Sequence, residues 1–276
     1  MHYQLFLLGF LGLSLGSFVN AWLWRFSQSK SSQKAKHKQL SVLHGRSICP
    51  SCKHTLQWYD LAPVVSWVML RGKCRYCHVP ISWQYPLIEL LTALLFIGSF
   101  IYWPFELIGV ISILYFSLWL IFLVVLIALA VYDSKHMLLP NQMIAVGWGI
   151  TMLAIAVSLG MSGATPTLLD MLVGSVTFGG LFYLLFLVSG GKWIGGGDVK
   201  LGFLLGVWLA GVASVFLTIF LASIFGILSV VVTSLSRSVS LKDHIPFGPM
   251  LILATVVNVL FFDTIYEALL GNLLII

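Results

Sequence analysis

The sequence predicts an all-α polytopic membrane protein with about eight transmembrane helices and a small polar insert between helices 1 and 2. Three observations predict this. Of 276 residues, 59% are apolar and only 9% charged, and mean hydropathy is +1.02; soluble domains carry about 25% charged residues. The apolar residues form continuous runs near the ~20 that a spanning helix needs. Residues 25–84 alone hold ten of the fifteen Lys and Arg with one acid, Asp60. So few charges exclude a soluble globular enzyme, a disordered chain, a disulfide miniprotein and a nucleic-acid-binding domain. The runs do not alternate, which excludes an outer-membrane barrel.

Spans are expected at 3–24, 85–103, 108–132, 142–160, 168–189, 200–210, 212–235 and 247–266. Trp103-Pro104-Phe105-Glu106, the stretch from Asp133 to Asn141, Gly163–Pro166, the glycines of 190–197, Gly211 and Ser236–His244 separate them. The domains are then 1–24, a first transmembrane helix; 25–84, a basic insert; and 85–276, a seven-helix membrane domain. The 36 residues between Lys200 and Arg237 allow about 18 per crossing, or ~27 Å of helix. Two short spans are expected there, with a re-entrant hairpin turning at 206–211 as the alternative.

Bases mark the cytoplasmic ends of spans. All fifteen fall after spans 1, 3, 5 and 7, while the other side holds Glu106, Asp170, Asp263 and Glu267. The insert is therefore cytoplasmic and both termini are outside. Met1-His2-Tyr3-Gln4 lacks a basic n-region, so the first span is an anchor rather than a signal peptide. Its Ser14, Gly16, Ser17 and Asn20 suit close helix packing. Residues 27–41 form a basic, low-complexity linker suited to anionic headgroups of the lipid bilayer.

The insert contains Cys49-Pro50-Ser51-Cys52 and Cys74-Arg75-Tyr76-Cys77. Two such pairs with this loop between them fit a closed tetrahedral zinc site of four cysteines, structural rather than chemical. Two disulfides or a redox motif are the alternatives, and disulfides are rare in the cytoplasm. His44, His54 and His78 are substitute ligands in principle, but four cysteines complete the shell.

Two acids lie at the cytoplasmic membrane edge. Asp133 ends the third span and Asp198 begins the sixth, after Gly195-Gly196-Gly197 and ahead of Lys200. Intramembrane acids are costly and tend to be functional. A close pair shares a proton and runs acid–base catalysis as an aspartic-protease dyad. The glycines allow close approach of backbone and substrate, and the run fits the G-x-G-D pattern of polytopic aspartyl proteases. The plainer readings are an N-cap at Asp198, an interfacial turn at Asp133, or a proton or ion relay. Glu89, in the second span, is either a polar contact near an active site or a partner for a base such as Arg75. Asp170 reads as interfacial.

Together these residues resemble the type IV prepilin peptidases, a family of membrane aspartic proteases of the G-x-G-D type. The resemblance is carried in order by Gly12 to Asn20, by Cys49 to Cys52 with Trp58 to Pro63, and by Leu70 to Cys77 with Ser82 to Glu89. Asp133 to Pro140, Gly195 to Leu201 and Ile245 to Pro249 complete it. It implies a bifunctional enzyme of the bacterial inner membrane. Such an enzyme cuts the leader from prepilins and pseudopilins at the cytoplasmic face, then N-methylates the new terminus with S-adenosyl-methionine. It implies Asp133 and Asp198 as catalytic, the four cysteines as zinc ligands, and Gly72 and Lys73 as linked to methyl transfer. Glu89 is a candidate base for that step, and Asp60 or the acids of the cavity itself are candidates for contact with the leader. The rivals are a signal-peptide-peptidase-like intramembrane protease without methylation and an ion- or proton-coupled transporter.

Overall fold

The computed structural model describes residues 2–31, 47–161, 166–236 and 246–268. Most of the basic linker, His44, and parts of the breaks expected at 163–166 and 236–244 lie outside the described residues. Among the described residues the chain is helical, with isolated bridges only at Ile48–Thr55 and Lys73–Pro80. It divides into two compact units, Met1–Ile101 and Tyr102–Ile276.

The first unit pairs two long helices, α1 (His2–Ser31) and α3 (Gln84–Ile101). Lipid gives apolar helices little reason to associate, so backbones must approach closely to gain contacts. A Cβ on Gly12 would sit 2.6 Å from Ala93 Cα, and one on Gly16 2.7 Å from Glu89 Cα. The small residues of the first span therefore form the α1–α3 seam. Asn20 adds a bond across it, its Nδ2 donating to the Tyr85 carbonyl at 3.2 Å. The outer face of α1, with Tyr3, Phe6 and Phe10 exposed, is dressed for lipid. A 3-10 turn (Trp58–Leu61) and the short α2 (Val65–Met69) lie between the two long helices.

The second unit is built around α4 (Gly109–His136). Trp119, Phe122, Leu123, Leu126 and Leu129 along it are fully buried. Around it run α5 (Asn141–Ser158), α6 (Leu168–Ser189), α7 (Gly196–Leu209), α8 (Val212–Ser236) and α9 (Gly248–Tyr266). Thr167 and Asp170 form a reciprocal capping box at the start of α6, which gives Asp170 a structural role. Trp208 of α7 stacks on Phe122 at 4.8 Å and donates its indole N–H to Thr151 of α5 at 2.9 Å. Asn258 of α9 donates to the Ser214 carbonyl and the Thr218 hydroxyl of α8, both at 2.6 Å.

Seven of the described helices are long and apolar enough to cross a membrane. The eighth expected span is α7, which the sequence reading starts four residues late. At 14 residues it is about 21 Å long, short of a ~30 Å hydrocarbon core. The helix after it has 25 residues, so the stretch expected as spans 200–210 and 212–235 is one short helix followed by one long one. Gly206, near the end of α7, meets Gly174 backbone to backbone. The helix therefore stops beside the second turn of α6. Leu201, Leu204 and Leu205 are fully shielded, so α7 has protein rather than lipid as its solvent. That setting lets a helix this short exist at membrane depth.

Candidate active site and metal centre

Asp133 stands in the last turn of α4 and Asp198 in the first turn of α7. Although 65 residues apart in sequence, they lie close enough for the charge of Asp133 to act on Asp198. Asp133 is 6% exposed. Its position opposes helix logic, because the C-terminal end of a helix favours bases, and Lys135 and His136 beside it obey that rule. Helix stability therefore does not explain Asp133.

Each carboxylate accepts a backbone N–H from a glycine. Gly248, the first residue of α9, donates to Asp133, and Gly195, the N-cap of α7, donates to Asp198. Asp198 is thus the third residue of its helix rather than its N-cap. At Gly248 a Cβ would lie 2.6 Å from Asp133 Oδ2, and at Gly197 one would lie 3.1 Å from Leu139 Cβ. The glycines of 195–197 do not serve a left-handed turn, since Gly195 has φ −73°. They let the Leu139 loop close over the start of α7. Lys200 Nζ fastens the same junction by donating to Asn141 Oδ1 at 2.8 Å. Gly248 and its N–H are the part of this site that sequence reasoning missed. A backbone donor leaves no side-chain signature, and only the Gly248-Pro249 step marked the place.

In the first unit the four cysteine sulfurs converge on one point, all within 4.8 Å of one another. Cys49 and Cys77 Sγ are 3.9 Å apart; a tetrahedron with ~2.3 Å metal–sulfur bonds has edges of about 3.8 Å. All four thiols are free, so the paired-disulfide reading is not the arrangement present. The two halves are built alike. In each, the residue after the second cysteine turns its N–H back to the carbonyl of the first. Lys53 and His78 donate in this way to Cys49 and Cys74, at 2.9 and 3.0 Å. Both donors sit in the left-handed region, at φ 58° and 56°. Burial raises the Cys49 thiol, but N–H groups of Cys52 and Ser51 and the neighbouring sulfurs outweigh it and bring it down to about 7. The Val79 N–H lowers Cys77, but burial and the other three sulfurs outweigh that and push it up to about 11. Four thiolates this close would need a cation among them, and the cluster can hold a metal ion. His54 and His78 are not part of it; His54 instead faces the Tyr76 ring at 3.7 Å.

The remaining expected residues divide. Glu89, 6% exposed, accepts the Val64 N–H at 2.7 Å and the Ser17 hydroxyl. It is not the partner of Arg75. That guanidinium pairs with Asp60 at 2.7 Å, and Asp60 also accepts from Tyr76 and the Gln57 N–H. With three donors, Asp60 braces the insert and is a poor contact for a leader, contrary to expectation. Gly72, at φ 68°, lies under Trp67, whose Cζ2 would be 2.9 Å from an added Cβ. Lys73 is exposed on the second knuckle.

Residues 10–104 match the family model for the bacterial peptidase A24 N-terminal domain, and residues 120–231 match that of the type IV leader peptidase family. The chain is 32% identical over 257 residues to a type 4 prepilin-like proteins leader peptide-processing enzyme of Escherichia coli O78:H11, covering 90% of each. It is 31% identical over 273 residues to a prepilin leader peptidase/N-methyltransferase of Pseudomonas aeruginosa, covering 92% of this chain and 89% of that one. Another so named, from Myxococcus xanthus, is 35% identical over 201 residues, 72% of this chain and about half, 54%, of that relative's length. No solved structure gives a significant match.

Proposed function

The chain belongs to the type IV leader peptidase family and is a multi-pass membrane peptidase, and from that premise we propose that it is an aspartic endopeptidase that removes the leader of prepilins and pseudopilins and then N-methylates the new terminus. The observation that carries the peptidase half is that Asp133 of α4 lies near enough to Asp198 of α7 for its charge to act there. Two close carboxylates hold one proton between them. The ionised one takes a proton from water, whose oxygen bonds the scissile carbonyl carbon. The protonated one hydrogen-bonds the carbonyl oxygen. When the C–N bond breaks, the leaving nitrogen takes up the proton. The glycine N–H groups hold each carboxylate in place for this exchange.

The bases that follow α1, α4 and α6 support a cytoplasmic dyad and insert in the bacterial inner membrane, with the N-terminus outside. In the second half-reaction, S-adenosyl-methionine supplies a methyl group activated by its sulfonium. The chain must present a deprotonated amine to it, and Glu89 is the candidate base. Gly72 acts through Trp67, which it supports, and Lys73 offers a cation on the same knuckle. Cys49, Cys52, Cys74 and Cys77 would hold a zinc ion that staples the insert together and takes no chemical part.

The test is incubation of the purified protein with a prepilin and S-adenosyl-methionine, read by mass spectrometry. Loss of the leader and gain of one methyl are expected. Asp133→Asn and Asp198→Asn should each lower cleavage by about 10³-fold; wild-type rates in either variant overturn the dyad.

A further inference from the structure

In the first unit the short helix α2 keeps an apolar face exposed. Val65, Val68 and Met69 are 57%, 60% and 76% exposed. Their i, i+3, i+4 spacing puts all three on one side of the helix. Trp67 lies on the other side, its indole N–H donating to the Ile81 carbonyl at 3.2 Å. Exposed apolar patches mark interaction sites, and three observations say what covers this one. The first is height. Val64, the N-cap of α2, donates its N–H to Glu89 Oε2 at 2.7 Å. Glu89 is five residues past Gln84, where the α3 span begins, or about 7.5 Å along the helix axis. Interfacial helices sink to a depth of about 5–10 Å, so α2 starts at that depth beside the span. The second is continuity. Trp83 heads a stripe of exposed Leu87, Leu90, Leu91 and Leu94 on one side of α3, and such a stripe on a spanning helix is a lipid face. Tryptophan favours the membrane–water boundary. The Trp83 ring lies 4.1 Å from that of Trp67, which moors α2 to the head of the stripe. The third is charge. Arg71 and Lys73, both exposed, follow α2 directly and suit anionic headgroups.

We propose that α2 is an interfacial anchor whose partner is the phospholipid leaflet into which the start of α3 opens. Val65, Val68 and Met69 enter the boundary between headgroups and acyl chains, and Arg71 lies among anionic headgroups. The four-cysteine insert is then held to the membrane at a second place beside α3, and rests on lipid rather than standing free in water. This contact is independent of the dyad and of methyl transfer, because it needs only that α3 spans the bilayer.

The experiment uses the full-length protein in nanodiscs of equal parts phosphatidylglycerol and phosphatidylcholine. The photoreactive residue p-benzoyl-phenylalanine replaces Val68 or Met69 in separate variants, and Leu94 in a third that reports plain lipid contact. Metal content of the four-cysteine site is the folding check. After irradiation, mass spectrometry identifies what each position has captured. Phospholipid adducts are expected at positions 68 and 69, at no less than about half the yield at position 94. Phosphatidylglycerol should exceed phosphatidylcholine among them by about twofold or more, and Arg71→Gln should bring that ratio toward one. Adducts to peptides of this chain or of a second copy, or a lipid yield below about a tenth of that at position 94, overturn the anchor. So does the replacement of lipid adducts by prepilin adducts when a prepilin is added, which would make the face a substrate surface. Equal capture of the two lipids by the protein with Arg71 intact overturns the headgroup contact.

Discussion

Gly248→Ala is the sharpest probe of the dyad, because it adds one methyl group beside an unaltered carboxylate. The new Cβ would lie 2.6 Å from Asp133 Oδ2. An ordinary contact of that kind is about 3.4 Å, so the two atoms must separate by about 0.8 Å. Asp133 is itself buried in the last turn of α4, which leaves its side chain two ways to yield. Rotation of the carboxylate breaks its bond from the Gly248 N–H, and movement of α9 carries that donor away. Either displacement approaches the ~1 Å that costs about 10²-fold in catalysis. Prepilin cleavage should fall about 10- to 100-fold. Methylation of a synthetic peptide that already begins at the mature residue should be unchanged, since Gly248 is remote in sequence from the metal-bearing unit. The assay is initial cleavage rate in nanodiscs, with the thermal unfolding midpoint as control. A rate within twofold of wild type, in a protein of unchanged midpoint, would refute the claim that Asp133 is held in a working position by the start of α9.

Four further outcomes are expected. Cys49→Ser with Cys52→Ser should remove the bound metal, read by elemental analysis as a fall from one zinc per chain to none. Gly72→Ala meets a left-handed backbone and the Trp67 ring together, and should cost about 1–3 kcal/mol locally, seen as zinc loss at lower chelator concentration. Arg75, Tyr76 and the Gln57 N–H overcome the effect of burial and hold Asp60 below the usual carboxylate range. Its contribution should be full above about pH 4 and fade as pH falls through that lowered value; the gap in chelator resistance between wild type and Asp60→Asn should close in that window. Asn258→Ala removes two bonds between α8 and α9 and should cost about 1 kcal/mol, measured as a lower unfolding midpoint in detergent.

Most of the fold was legible because lipid imposes a crude rule. Continuous apolar runs have no other use, and the boundaries at 168–189 coincide with α6. The exception, α7, begins within three glycines, residues of low helix propensity, and only its burial among α4, α5 and α6 makes it a helix of that length. The four cysteines were legible as a metal site because their spacing is a local geometric statement. The proximity of Asp133 and Asp198 was legible only indirectly, because no local pattern joins residues 65 positions apart; their shared membrane edge suggested a pair, and the resemblance supported it. Of the two readings open for Glu89, the charged partner is the one the structure removes. Its main partner is the backbone N–H of Val64, a group that nearly every residue carries.

Both aspartates lie in the second compact unit, and the cysteines, Gly72 and Glu89 all lie in the first. This arrangement can be read by genetics without any structure. A screen for cells whose pilins are trimmed but lack their methyl group should collect missense changes before residue 102. A screen for untrimmed pilins should collect them after it. Such a map would have a single crossover point, and its sharpness would measure how far one polypeptide keeps two trades.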